Sequence, residues 1–591
     1  MVRIRGIGVS PGLASGKAIV LETRATPIFR LPIPPQEVEQ ELARLEQARE
    51  AAHKQITEVR QRVAAAVGEA FARVFGAHLL ILGDPQLLGE AAAIVRSEQV
   101  NAEWALNTVA ERLLAAFARI EDPYLRERGG DVEDVHNRLQ LILAGERHRH
   151  ELSELSEDSL VVAHSLSPSD AALLHHERIV GFCTDVGTRT SHIAILANAL
   201  QIPAVVGFHD LSKRVKGGDL LLVDGSGGEV VWRPSARELS LHRRARIELA
   251  RHEKRLAGER DLPAVTLDGQ EVALMANIEF PEEVDTALAQ GAKGIGLYRS
   301  EFLFLSRSPE LPSEEEHRAV YLSLARRVSP EEAIIRTLDL GGDKYFHEVL
   351  DKNEPNPVMG LRAIRFCLRR PDIFRTQLRG LLRASVEGNL KVMFPLVSGV
   401  DELRQARQVL EDCRREIEAE GHACARNLEV GIMIEVPSAA LIADRLAREA
   451  DFFSIGTNDL LQYCLALDRR NESVSYLYQP FHPALLRLLR GVISAAKDSG
   501  IEVSLCGEMA SDPLAVPVLV GLGLRKLSMN ALAIPEVRSA VRQVDAGRAE
   551  RIVSDLLNMA TAEEIESRLR SEFFSSGPAM RPAFRPAIKT I

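Results

Sequence analysis

Aromatic residues make up only 5% of the 591-residue sequence, and no apolar run approaches the roughly 20 residues needed to cross a bilayer. Membrane insertion is therefore not expected. The N-terminus, MVRIRGIGVSPG, is basic but lacks the apolar stretch and cleavage site of a secretion signal. The six cysteines, Cys183, Cys367, Cys413, Cys424, Cys464 and Cys506, include no CxxC pair and suit neither zinc nor a disulfide framework. A reducing, cytoplasmic location is expected. Positive charge is in deficit, with a formal net charge of −10. Together with the scarcity of rings for base stacking, this excludes nucleic acid as the main partner. A nucleotide loop is also missing. Gly12 to Gly16-Lys17 is one residue short of the Walker spacing, and Ala18 stands where Ser or Thr would hold magnesium. The opening glycines instead predict a turn between two strands.

Hydrophobic residues at 46% and charged residues at 26% are ordinary for a globular chain, and the length implies two to four domains. Between residues 35 and 145, Val38, Leu42, Leu45, Ala48, Ala52, Ile56, Val59 and Val63 recur every three or four positions with charges between them. This predicts an inserted helical bundle. The runs LVVAHS, RIVGFCTD, PAVVGF and LLLVDG predict short strands, so residues 1–34 and 146–232 are expected to form one α/β domain around that insert. Residues 233–262, dense in Arg, Glu and Ala, read as an exposed linker helix.

Residues 263–575 repeat a unit of apolar strand, polar loop and helix. The strand candidates are EVALMANI, KGIGLYRS, AIIRTLDL, LKVMFPLV, LEVGIMIEV, DFFSIGTND, IEVSLCGE and RKLSM. Eight such strands predict a (β/α)8 TIM barrel, and their near-continuous apolar character fits parallel strands buried on both faces. Residues 576–591, rich in proline, read as a loose tail. The fold class expected is thus multidomain α/β.

In a barrel of this kind chemistry sits at the C-terminal strand ends. Strand two ends at Arg299, Ser300 and Glu301; strand three carries Arg336 and ends in Asp339; strand five ends at Glu435. Strand six ends in Thr457, Asn458 and Asp459, with Arg469 after it, and strand seven in Cys506, Gly507 and Glu508. A single acid there is as well explained as a helix cap. The set points further. Glu435 and Asp459, on adjacent strands, suit Mg2+ with waters and substrate completing the shell. Arg299, Arg336 and Arg469, taken as uncompensated, would form a trap for phosphate or carboxylate; internal ion pairs are the competing reading. Cys506 is either a small apolar filler or a proton donor facing the mouth. A second candidate is GTRTSHIAILANAL, where His192 stands at the start of a helix after a small polar loop. A helix N-terminus favours phosphate, and a neutral imidazole is a competent nucleophile. The alternative is a cap by Thr190 or Ser191 with a bystander histidine, one of 16 in the chain.

The segments GVSPGLASGKA, RTSH, GIGLYRSEFLF, IIRTLDLGGDK, GLRAIR, IEVPSAA, FFSIGTNDLLQY, LDRRN, LYQP and CGEMA, in this order, resemble enzyme I of the phosphoenolpyruvate-dependent sugar phosphotransferase system. The likeness spans nearly the whole chain. It implies a swivelling phosphohistidine domain with His192 as phosphoryl acceptor. It implies a barrel binding phosphoenolpyruvate through Arg299, Arg336, Arg469, Asn458 and Asp459, with Mg2+ on Glu435 and Asp459 and Cys506 protonating the departing enolate. It also implies that the bundle docks the phosphocarrier protein HPr, which then takes the phosphoryl group, and that the protein is a homodimer through the barrel. The nitrogen-type relatives carry an extra N-terminal sensory domain, which is not found ahead of the opening strand; the sugar branch is therefore expected.

Some positions depart from the family pattern. Thr188 replaces the second glycine of Gly-Gly-X-Thr-Ser-His, Asn198 stands where arginine is common, and Ser167 replaces a threonine whose hydroxyl role it can share. The bundle around EAFARVFGAH is less acidic than is usual for a basic carrier. Pyruvate phosphate dikinase and phosphoenolpyruvate synthase share both sites but need an ATP-binding domain, for which the region before His192 is too short. A scaffold that kept the fold and lost transfer is opposed by the intact set of Arg299, Arg336, Glu435, Asp459 and Cys506.

Overall fold

The computed structural model describes residues 2–21, 28–67, 74–118, 123–144, 157–166, 178–187, 197, 202–305, 310–340, 356–469, 471 and 474–574. His192, with Ser167, Thr188, Thr190, Ser191 and Asn198, lies outside the described residues, as do the GGDK segment and residues 575–591. The described residues divide into two compact units, one up to residue 250 and the other from residue 251.

The first unit is built on an eight-stranded sheet. Its strands are β1 (Val2–Arg5), β2 (Ile7–Ser10), β3 (Leu13–Leu21), β4 (Ser159–Ala163), β5 (Ile179–Thr184), β6 (Ala204–Val206), β7 (Leu220–Asp224) and β8 (Glu229–Trp232), in the order β1-β8-β7-β3-β4-β5-β6-β2. The central strands β3 to β6 run parallel and the flanking ones antiparallel. Between β3 and β4, among the described residues, five helices form a bundle: Val38–Val67, Val74–Gly83, Pro85–Glu98, Ala102–Ala118 and Pro123–Leu143. The heptad-like apolar positions Leu45, Ala48, Ala52 and Ile56 lie in its core. Asp84 accepts from the Gln86 N–H at 2.8 Å and Pro85 opens the next helix, so the Asp-Pro step stops one helix and caps another. The opening glycines make a turn. Gly12 has φ +122° and donates its N–H to Ser226 Oγ at 3.3 Å. Helix Ala236–Glu259 follows β8, with Leu241 and Ile247 more than half exposed.

The second unit is a closed barrel of eight parallel strands: β9 (Ala273–Ile278), β10 (Ile295–Arg299), β11 (Ala333–Arg336), β12 (Leu390–Phe394), β13 (Val430–Ile434), β14 (Phe452–Ile455), β15 (Glu502–Leu505) and β16 (Lys526–Asn530). Each falls on one of the apolar runs that predict it. The reason is double burial: one set of side chains meets the helical ring, and Leu297, Ile334, Met393, Met433, Phe452 and Cys506 fill the interior. Gly431 leaves room for the Phe452 ring, which a Cβ there would strike. Helices on the outside are started by capping boxes, Ser313 with Glu316 and Thr561 with Glu564. Two expected strand ends are displaced. β11 stops at Arg336, leaving Asp339 in the following loop, and β14 stops at Ile455, so Asn458 and Asp459 lie in the first turn of helix Thr457–Cys464.

Candidate active site

The C-terminal ends of β9 to β15 bring Arg299, Arg336, Glu435, Asn458, Asp459, Arg469 and Cys506 into one mouth. Glu435 follows β13 and is 2% exposed. Its Oε1 accepts from the Leu396 N–H at 2.7 Å. Leu396 has φ +56°, a conformation that costs energy in a side chain with a Cβ and marks a site where the backbone is held for a purpose. Gly456 lies beneath the other oxygen. A Cβ there would come within 2.9 Å of Oε2, so only glycine lets the helix bearing Asp459 start this close. Burial raises the Glu435 carboxyl above the ordinary glutamate range, and the negative charges of Asp459 and Asp339 raise it further, against the pull of Arg336 and Arg362.

The rim guanidiniums are not uncompensated, as the sequence suggested. Arg336 Nη2 lies 3.2 Å from Glu301 and Nη1 2.8 Å from Asp339. Arg299 Nη1 donates to Glu279 at 2.8 Å, and Arg469 Nη1 lies 3.4 Å from Glu508. The carboxylates that pair them sit on the same strand ends, so a rim rich in one sign collects the other. Exposure separates the four arginines by task. Arg336 and Arg362 have side chains only 12% and 13% exposed and each bridges two acids. Among the described residues Arg299 and Arg469, 40% and 39% exposed, each touch one acid, and Arg469 also meets Tyr478; a guanidinium with five N–H donors has donors beyond these for an anion. Burial works against the charge on Arg336, but Glu301, Asp339 and Glu435 overcome it and raise its pKa. Its Nε–H is buried without an acceptor, an orphan donor at the heart of the mouth.

Arg362 was missed by the sequence reading. Its Nη2 lies 2.8 Å from Asp339 and 3.3 Å from Asp459, and Nη1 donates to Tyr463 Oη at 3.3 Å. It sits on no strand end, but on the segment before helix Ala363–Arg369. Glu279 was missed too, although it is the residue just past β9 and the strand-end rule finds it.

Cys506 lies one residue past β15, 5% exposed, among the interior side chains of the barrel. Burial pushes its thiol up, so it carries its proton at neutral pH. Asn458 is held on both sides: its Oδ1 accepts from the Glu508 N–H at 2.9 Å and its Nδ2 donates to Glu508 Oε1 at 3.1 Å.

The mouth can be tested for a divalent cation. Among the described residues, four guanidiniums (Arg299, Arg336, Arg362, Arg469) face six carboxylates (Glu279, Glu301, Asp339, Glu435, Asp459, Glu508). With all ionised this leaves two negative charges in excess, and the raised Glu435 is where that excess is felt. No three His, Cys, Asp or Glu side chains among the described residues close into a cage. Two carboxylates with water and substrate oxygens are what a small hard cation takes beside a phosphorylated ligand. The residues fit a divalent metal ion.

Three family descriptions match the chain in succession: PEP-utilising enzyme, N-terminal, over residues 5–128; PEP-utilising enzyme, mobile domain, over 155–228; and PEP-utilising enzyme, PEP-binding domain, over 253–546. A phosphoenolpyruvate-protein phosphotransferase of Geobacillus stearothermophilus is 44% identical over 573 residues, covering 96% of this chain and 98% of the relative. That of Bacillus subtilis (strain 168) is 40% identical, covering 97% and 100%. The NMR solution structure of Enzyme I (nEIt) is 35% identical over 42% of this chain and 99% of its own, with a TM-score of 0.36. No helix among the described residues is long and apolar enough to cross a membrane.

Proposed function

From the premise that this chain belongs to the phosphoenolpyruvate-protein phosphotransferases, we propose that His192 takes the phosphoryl group at the barrel mouth described above and passes it to a histidine of HPr. The chain is an enzyme that uses phosphoenolpyruvate and carries out the first step of the sugar phosphotransferase system. The observation that most supports the site is the division among the guanidiniums. Arg336 and Arg362 fix the acids of the mouth, while the half-exposed Arg299 and Arg469 have donors to spare for phosphate and carboxylate oxygens.

In the proposed reaction the substrate lies between Arg299 and Arg469, with Asn458 and Arg336 donating to its oxygens. Glu435 and Asp459 would hold Mg2+, which when bound offsets charge on the phosphoryl oxygens. His192 attacks phosphorus in line with the bridging oxygen, and Arg299, Arg336 and Arg469 stabilise the charge that develops. The P–O bond breaks and the electron pair stays with enolpyruvate. Cys506, protonated and surrounded by Leu297, Ile334, Met393, Met433 and Phe452, gives its proton to the methylene carbon in a dry setting. His192 belongs to the first unit and the mouth to the second. The resemblance implies a swivelling histidine domain, so in the proposed reaction the histidine is carried to the barrel, with helix Ala236–Glu259 as connector. HPr docking on the helical bundle, a homodimer through the barrel and a cytoplasmic location complete the proposal.

The test is labelling by phosphoenolpyruvate in the absence of ATP. Purified protein with [32P]phosphoenolpyruvate and Mg2+ is expected to acquire acid-labile, base-stable label, absent in His192→Ala and discharged by HPr. Label that persists in His192→Ala would place the acceptor elsewhere.

A further inference from the structure

The peptide that carries the Cys506 thiol is held from two strands, and a third orients one of the two contacts. On the β14 side the ladder continues past the end of β15, with the Cys506 N–H donating to the Ile455 carbonyl at 3.0 Å. On the other side the ladder fails, because β15 and β16 pair at one position only, Leu505 with Leu527. The Cys506 carbonyl, a buried acceptor, would have no strand partner there. Asn277 supplies one. From β9, on the far side of β16, its Nδ2 donates to the Cys506 carbonyl at 3.0 Å. The orientation of that amide is set by Ser528 of β16, whose Oγ donates to Asn277 Oδ1 at 2.6 Å. The bond is thus a staple across the weakest seam of the barrel.

What the staple fixes is larger than one carbonyl. Gly507 is packed so closely on Thr457 that a Cβ would overlap the Thr457 hydroxyl. The next N–H, of Glu508, donates to Asn458 at 2.9 Å. Residues 506 to 508 therefore move as a piece with the helix that bears Asn458 and Asp459. With both its N–H and its C=O engaged, Cys506 has little freedom about φ and ψ, so its Cα–Cβ bond has one direction, and the thiol it carries donates to the Ile455 carbonyl at 3.7 Å.

We infer that Asn277 is a positioning residue for the proton transfer that completes the reaction, aiming the Cys506 thiol at one face of the enolpyruvate methylene. This rests on the reading of Cys506 as proton donor. The step balances as follows. Phosphoryl transfer leaves the electron pair on the enolate, whose methylene carbon takes the thiol proton and forms a C–H bond. The thiolate left behind takes a proton from water. A proton delivered from a fixed thiol reaches one face, whereas enolpyruvate that escapes unprotonated ketonises in water on both.

That difference is the readout. Phosphoenolpyruvate stereospecifically deuterated at C3 is turned over once in tritiated water with Mg2+ and stoichiometric protein, and the chirality of the pyruvate methyl group is determined. Wild-type protein is expected to give one hand and Cys506→Ala a mixture of both. Asn277→Ala is expected to give largely a mixture, with stereospecific pyruvate formed about tenfold more slowly, while His192 is phosphorylated at a rate within about threefold of wild type. A merely structural role would lower phosphorylation and pyruvate together and leave the product one-handed. Ser528→Ala, which frees the amide without touching the Cys506 peptide, is expected to fall between and carries the test if Asn277→Ala does not fold. If the asparagine or serine variant keeps one-handed product while Cys506→Ala scrambles it, Asn277 has no positioning role and Cys506 stands as donor. If Cys506→Ala itself keeps one-handed product at full rate, the donor assignment falls first.

Discussion

Glu332 and Glu435 lie at opposite ends of the same barrel, and burial pushes both carboxyls up. They end on opposite sides of the ordinary value. At the N-terminal end, Glu332 sits between Lys526 and Lys391, 2.9 Å from the latter, and the two cations more than cancel its burial and lower it. Lys391 goes on to Glu429 at 2.8 Å and Lys526 to Glu502 at 2.7 Å, a chain of alternating sign. Lys391 also lies over the Phe452 ring that plugs the interior, 5.5 Å from its centroid. At the C-terminal end Glu435 sits among Asp459 and Asp339, and their charge adds to the rise. The lesson is that burial alone does not make a site. At the lower end two cations flank the one buried acid and the outer acids reach solvent, which makes a staple, whereas the upper end sets its buried acid beside two further carboxylates and has work left for a ligand.

The comparison breaks hardest on one exchange of lesions. Arg299→Met removes a half-exposed guanidinium with one acid partner among the described residues and is expected to change stability by no more than about 1 kcal/mol. It should nevertheless lower kcat/KM for phosphoenolpyruvate about 10²-fold to 10³-fold. Lys391→Met should do the reverse, because it leaves Glu332 with Lys526 alone and takes the partner of the half-exposed Glu429. It should cost about 2 kcal/mol while leaving kcat/KM within about twofold. Coupled pyruvate assays and calorimetry check both. Calorimetry is the better probe, since both tryptophans, Trp104 and Trp232, belong to the first unit and tryptophan fluorescence does not report on the barrel. Equal losses of activity in the two variants would erase the distinction between the ends.

A smaller effect is expected where the two roles overlap. Arg362 is buried like a staple yet sits in the mouth, spanning Asp339 and Asp459 with one nitrogen and reaching Tyr463 with another. Arg362→Lys keeps the charge but not the fork. It is expected to lower kcat/KM about tenfold and stability by about 1 kcal/mol, through loss of the second carboxylate contact. A variant with wild-type kinetics would move Arg362 to the structural side of the division.

Much of this was legible in the sequence, for a physical reason. Parallel barrel strands are buried on both faces, so the runs ALMANI, IGLYR and VGIMI are almost purely apolar and stand out, and each polar residue that ends one is noticeable. That signal located Arg299, Arg336, Glu435 and Cys506. It misplaced Asn458 and Asp459 by a few residues, because SIGTND runs from strand into helix without a break in polarity. Pairing was not legible at all. That Arg336 bridges Glu301 and Asp339 depends on neighbours three to thirty-five residues away meeting across β10 and β11. Arg362 gave no periodic signal either. Its mark is the φ of +51° at the next residue, Ala363, which only the fold reveals. Residues 188–196, where sequence reasoning put the acceptor, lie outside the described residues, so His192 rests on the motif.

The smallest effect concerns what stands behind the mouth. There the support is neutral, unlike the ion-pair chain below. Gln377 accepts from the Leu338 N–H at 3.0 Å and donates to Ser300 Oγ at 2.9 Å and Tyr321 Oη at 3.0 Å, while Ser300 Oγ donates to the Arg336 carbonyl at 2.8 Å. His317 completes the set, its Nδ1 3.0 Å from Tyr321 Oη and its Nε2 buried without a partner. A proton on Nε2 would have no acceptor, so burial pushes the imidazole down to about 3. In the unfolded chain a histidine takes its proton below about pH 6.5. Between those values the unfolded state binds the extra proton, so stability is intact above about pH 6.5 and drains as pH falls toward about 3. The expected loss from this residue is about 1 kcal/mol between about pH 7 and pH 5.5. His317→Gln should start slightly less stable at neutral pH and lose less on acidification, so that the two melting curves draw together in acid. Parallel curves would mean that His317 takes a proton in the folded barrel, and that the shell behind the mouth is charged after all.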